Sequence, residues 1–217
     1  MKQNSFHTKK MVVLAMLAAI AYLLVLVVRI PVVLFLSYEP KDVAIAIAGL
    51  LFGPLAAAGT SLVVSLVEMV SICQTGPIGA VMNFLSTVAF VCPAAILYRK
   101  QHTRRGAVMG LLAGSVAMIT VMILWNWLIT PLYMGVERTA VEGMLLPVFL
   151  PFNALKAGLN TAITLLIYKP LVTGLRKTGL LPPAHESPKS GKVGLYLLAS
   201  LLLVTCVVGC LALSGIL

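Results

Sequence analysis

Long apolar stretches with almost no charge leave this chain one class of fold. Residues 11–28 form an unbroken run free of charged side chains, behind Lys2, Lys9 and Lys10. Residues 43–52 form a second, short run ended by Gly53-Pro54, where proline cannot continue the preceding hydrogen-bond ladder. Further runs cover residues 54–72, 80–97, 107–130 and 148–168, and residues 193–217 are again almost wholly apolar. A helix of about 20 apolar residues spans a bilayer, whereas a barrel strand shows about 10 residues of alternating polarity. The runs do not alternate, so the expectation is an all-α polytopic membrane protein: six helices plus a seventh C-terminal transmembrane helix. Only 10% of the residues are charged, against about 25% in soluble domains, which excludes a water-soluble enzyme or a disordered scaffold. Ala19-Ile20-Ala21 has the small residues of a signal-peptide cleavage site, but the apolar run continues past it and is read as a span.

The expected organisation is an N-terminal segment over residues 1–10, a six-helix membrane domain over 11–181, a polar proline-containing linker over 182–192 and an appended helix over 193–217. The net charge of +10 is then topological. With a cytoplasmic N-terminus, Lys2, Lys9, Lys10, Arg99, Lys100, Arg104, Arg105, Lys169, Arg176, Lys177, Lys189 and Lys192 fall on the inner side, twelve of the sixteen basic residues. Arg29, Lys41 and Arg138 fall outside, against Glu39, Asp42, Glu68, Glu137 and Glu142. Positive-inside bias accounts for the basic excess, and a nucleic-acid partner loses its main support.

Polar groups at membrane depth carry the remaining information, because each needs a partner or a ligand. Lys156 lies thirteen residues before Lys169, roughly 20 Å along a helix and too deep to reach the inner surface. Asn153 and Asn160 share its helical face at spacings of three and four. An interhelical polar seam is the alternative to a ligand site. Asn126 stands between Trp125 and Trp127, followed by Pro131 and Tyr133; its amide and that of Asn153 suit a planar ligand that alternates carbonyl and N–H groups along one edge. In the first outer connection, Tyr38, Glu39 and Asp42 are placed to close over a site, with Asp42 expected to serve first as N-cap of the second helix. Glu68 is either solvated or the counter-charge of Lys156. The polar turn Gln74-Thr-Gly-Pro-Ile-Gly79 opens on the same side, with Asn83 one turn into the next helix. Small residues recur every four positions at Ala15 and Ala19, Gly49 and Gly53, and Gly106, Gly110 and Gly114. Such rows pack helices closely, and the one on the first helix could face another subunit.

No GxxxxGK[ST] phosphate loop, HExxH or GxSxG is present, so ATP hydrolysis, zinc catalysis and serine chemistry have no sequence support. His7, His102 and His185 fall in polar segments, and Cys73, Cys92, Cys206 and Cys210 contain no CxxC and read as inert thiols.

The order Tyr38-Glu-Pro-Lys-Asp42, Gly49-Leu-Leu-Phe-Gly-Pro54, Thr75-Gly-Pro-Ile-Gly79 with Asn83, Asn126 with Pro131-Leu-Tyr133, and Leu150-Pro-Phe-Asn-Ala-Leu-Lys156 resembles the RibU-type, riboflavin-binding S components of energy-coupling factor (ECF) vitamin transporters. The resemblance runs from about Met11 to Lys169. It implies six helices, vitamin capture from outside, and release powered by a transmembrane T subunit and two ATPases. Asn126, Asn153 and Lys156 match the family's polar ligand contacts; Tyr38, Glu39, Asp42, Thr75, Gly76, Asn83 and Tyr133 lie in its matched motifs. Ala15 and Ala19 match the alanine pair that meets the T subunit. Riboflavin is then the transported ligand and no cofactor is expected. Lys41, the absence of a proline after Asp42 and the seventh helix depart from the family pattern. An S component for another vitamin is the nearest alternative, and a lipid-modifying membrane enzyme is the alternative from a different class.

Overall fold

The computed structural model describes residues 2–34, 36–72, 76–180 and 192–213. Thr75 and most of the expected linker lie outside the described residues. Helix α1 (Lys2–Val27) leads into an antiparallel hairpin, β1 (Ile30–Val33) and β2 (Leu36–Tyr38), in which Ile30 faces Tyr38 and Pro31 faces Ser37. Helices α2 (Lys41–Phe52), α3 (Pro54–Ser71), α4 (Gly76–Gln101), α5 (Arg104–Met134) and α6 (Arg138–Met144) follow. A π-helical turn (Leu145–Phe149), α7 (Leu150–Lys177) and α8 (Lys192–Leu213) complete the order.

By length and composition, His7–Val27, Pro54–Ser71, Gly76–Gln101, Arg105–Met134 and Arg138–Lys177 are able to cross a membrane. The second apolar run is different. Its helix has 12 residues, about 18 Å at 1.5 Å per residue, and does not cross a bilayer by itself. Gly53, at φ 93°, stops it before Pro54 starts α3. Residues Lys41 to Leu50 of α2 are all buried, because α1, α3, α4 and α7 pack around it. The hairpin before it was read from sequence as a plain connection. Its β-branched run, with Pro31 in the first strand, forms a two-stranded ribbon closed by Leu34 in the left-handed region, at φ 52°.

Without a hydrophobic driving force between helices in lipid, close packing holds such a bundle together. The core cluster joins Ala21, Ala44, Ala57, Phe90, Ala94, Leu111, Met118 and Ala157 from six helices. The small-residue row on α5 serves this packing: a Cβ at Gly110 would lie 2.7 Å from the carbonyl oxygen of Ala94, and one at Gly114 would strike that of Phe90. Helix α8 lies on α7, with Cys206 against Gly158 and Gly209 against Leu155. Ala15 and Ala19 are exposed on α1, so that row does not pack inside the bundle.

Candidate functional site

One end of the bundle is basic, with Arg99, Lys100, Arg105, Arg176 and Lys177 near helix ends. At the other, a polar cavity lies under the hairpin, lined by Arg29 and Glu39 beside the strands, Glu68 of α3, Asn83 and Ser86 of α4, Met122 of α5, and Asn153 and Lys156 of α7. Its volume is about 60 Å³. A smaller, mostly apolar cavity of about 20 Å³ lies between α4 and α5, lined by Gly79, Trp125, Thr130 and Tyr133, and shares Met82 with the first.

Asn153 and Lys156 owe their placement to an irregular helix start. Pro147 and Pro151 each remove a donor from the ladder, and the turn between them widens so that Leu150 N–H donates to Leu145 O, five residues back. Asn153 Nδ2 donates to Phe149 O at 2.7 Å, satisfying a carbonyl of that turn. Lys156 is 7% exposed, and its ammonium lies 3.7 Å from Asp42 Oδ2.

Asp42 is not the N-cap of α2. Pro40 occupies that position without a side-chain bond, and Asp42, in the first turn of α2, is fully buried. Its Oδ1 accepts from Thr87 Oγ1 at 2.6 Å and its Oδ2 from Asn160 Nδ2 at 3.0 Å. Tyr38 OH donates to Asn160 Oδ1 at 3.1 Å, so β2, α2, α4 and α7 are tied through one buried carboxylate. Burying the Asp42 carboxylate costs desolvation, and the donors Thr87 and Asn160 with the nearby Lys156 offset that cost.

Glu68 is neither solvated nor the counter-charge of Lys156. It is 2% exposed and accepts from Lys41 Nζ at 2.5 Å and from Asn83 Nδ2 at 3.1 Å. Lys41 also lies 3.2 Å from Glu39, which meets Arg29 at 3.4 Å. The chain Arg29–Glu39–Lys41–Glu68–Asn83 roofs the cavity. Among the described buried side-chain atoms, Glu68 Oε1 and Ser86 Oγ have no hydrogen-bond partner, and both residues line the cavity.

Of the residues singled out from sequence, Glu39, Asn83, Asn153 and Lys156 meet at the cavity. Asp42 and Tyr38 support it from behind. Asn126 is fully buried and bonded within α5, donating to Met122 O at 2.8 Å and accepting from Thr130 Oγ1 at 2.9 Å. It thereby sits behind the wall between the two cavities, bonded to one lining residue of each. Tyr133 belongs to the smaller cavity, and Gly76 begins α4 at φ 60°. Sequence reasoning missed Ser86, Met82 and the structural part of Arg29 and Lys41. A serine in an apolar helix is only a weak signal, and from sequence Arg29 and Lys41 read as charges of the outer segments. Among the described residues, no group of three His, Cys, Asp or Glu could hold a metal.

Residues 9–168 match the family described as ECF transporter, substrate-specific component. The chain is 31% identical to the riboflavin transporter FmnP of Bacillus subtilis over 172 residues, covering 74% of this chain and 90% of that protein. It is 25% identical to the riboflavin transporter RibU of Staphylococcus aureus over 185 residues, covering 81% and 97%. It is also similar to a solved structure described as the S component of a bacterial ECF transporter, with a TM-score of 0.66, 25% identity, and coverage of 78% of this chain and 99% of that one.

Proposed function

Because the chain belongs to the family of ECF transporter substrate-specific components, we propose that it is the riboflavin-binding subunit of a vitamin importer and takes its ligand into the cavity under the hairpin. The observation that carries this reading is Lys156, a buried ammonium inside an apolar helix, beside Asn153 and facing a cavity. A lysine at that depth is a functional residue by default. Its relatives in Bacillus subtilis and Staphylococcus aureus are named riboflavin transporters.

The chemistry of the site suits a neutral flavin. The ring needs an apolar slot, and the ribityl hydroxyls need a few placed polar partners. Ser86 Oγ, Glu68 Oε1, Asn83, Asn153 and Lys156 supply such partners at one cavity, and the apolar space beside Trp125 and Tyr133 lies across Met82. At about 60 and 20 Å³ the two cavities together fall short of the roughly 300–1,000 Å³ of ligand sites. Riboflavin entry therefore requires displacement of the wall, and the Met82 side chain, unbranched and flexible, is the group that yields. Asn126 lies behind both spaces, bonded to Met122 of the main cavity and Thr130 of the smaller one. Tyr38 and Asp42 hold the site in place, and Glu39 lines it.

The N-terminus is cytoplasmic by the positive-inside bias, so the cavity opens outward. The exposed pair Ala15 and Ala19 meets the T subunit, whose ATPase partners supply the energy that this chain has no phosphate loop to supply. Proteoliposomes carrying this chain alone are expected to bind riboflavin but not to concentrate it. Accumulation against a gradient without other subunits would overturn the division of labour.

A further inference from the structure

Among the described residues, three cations and three carboxylates surround the cavity, and each cation is matched. Arg29 lies 3.4 Å from Glu39, Lys41 lies 3.2 Å from Glu39 and 2.5 Å from Glu68, and Lys156 lies 3.7 Å from Asp42. The last pair is locked: Thr87 and Asn160 hold both oxygens of Asp42, and Tyr38 holds Asn160. The set is electrically neutral, and all but Arg29 are buried. A phosphate monoester carries about −1.5 to −2 charges and is bound by free basic donors. Here it would have to break an existing pair or add uncompensated negative charge in a low-dielectric site, and either is costly.

We propose that Glu39 and Asp42 are specificity-determining residues: by closing the charges of Arg29 and Lys156 they favour neutral ligands over phosphorylated ones. This rests on the reading of the cavity as a flavin site. Neutralising either carboxylate leaves one cation unmatched, so each variant gains affinity for a phosphorylated flavin relative to the unphosphorylated one.

The test titrates riboflavin and FMN, by quenching of flavin fluorescence, against the purified full chain, Asp42→Asn and Glu39→Gln. The wild type is expected to favour riboflavin. In each variant the ratio of FMN to riboflavin dissociation constants is expected to fall by about tenfold or more. FMN binding by the variants should also weaken on adding salt, while riboflavin binding stays level, a response that a purely structural role does not produce. Glu39→Gln leaves the Asp42 set intact and carries the test if Asp42→Asn does not fold. A wild type with no preference, or an unchanged ratio in a folded variant, overturns the inference while riboflavin binding stands. Binding of neither flavin by the wild type overturns the flavin reading itself and this inference with it.

Discussion

Lys41 illustrates how much a single buried charge depends on its partners. It is 1% exposed and sits between Glu39 and Glu68, so removing it strands at least one carboxylate inside the bundle. Lys41→Met is expected to destabilise the protein by about 3–5 kcal/mol, the cost of breaking a buried pair. Lys41→Met with Glu68→Gln should recover most of it, since Arg29 still meets Glu39; thermal unfolding of the variants in detergent measures both. At the ligand site, Asn153→Ala or Lys156→Ala should each weaken riboflavin binding by roughly 1–3 kcal/mol, about tenfold or more in dissociation constant. Fluorescence titration of variants matched for unliganded melting temperature separates this from an interhelical seam, in which stability falls while affinity holds. These two residues were legible in the sequence because a lysine and an asparagine one turn apart stand out in an apolar run. Their support was not. Asp42 and Asn160 are separated by 118 residues, and only the burial of α2 brings them together.

Among the elements, α4 and α5 approach backbone to backbone through Gly110 and Gly114. Gly114→Ala is therefore expected to cost about 1–3 kcal/mol by overpacking, whereas Gly59→Ala, with nothing within 4 Å of the added Cβ, should leave the melting temperature unchanged or slightly higher. Equal melting temperatures for the two variants would contradict the packing of these helices. The spacing of the glycines announced such a contact without naming its partner, since a row of small residues marks close approach by any helix. Residues 43–52 announced a helix as well, but their length of crossing did not follow from their polarity. Lys41 and Asp42 extend α2 by two residues at its start, and both are buried rather than at the membrane surface. The hairpin escaped notice because its two strands are 4 and 3 residues long, too short for alternation to register.

At the scale of the whole molecule, the exposed Ala15–Ala19 face of α1 and the helix α8 lie on different neighbours: α1 packs on α2 and α3, and α8 on α7 and β1. Replacing Ala15 or Ala19 by Trp should leave riboflavin binding intact and abolish uptake in a reconstituted complex with T and ATPase subunits. Equal loss of both would return the row to bundle packing. A chain cut after Pro188 loses α8 and its contacts at Gly158 and Leu155; it should still bind riboflavin, with a lower melting temperature, because none of the described residues of α8 lines the cavity. Apolar runs and charge sorting made the membrane class readable from residues alone, and the motifs between Tyr38 and Lys156 carried the family resemblance, while the roofing ion pairs required the folded chain. The central claim is that this chain captures riboflavin by itself. Titrating riboflavin into the purified wild-type protein, with no ATP and no other subunit, tests it most directly. Saturable quenching of flavin fluorescence that survives high salt is the predicted result, and the absence of saturable binding by folded protein would contradict the account.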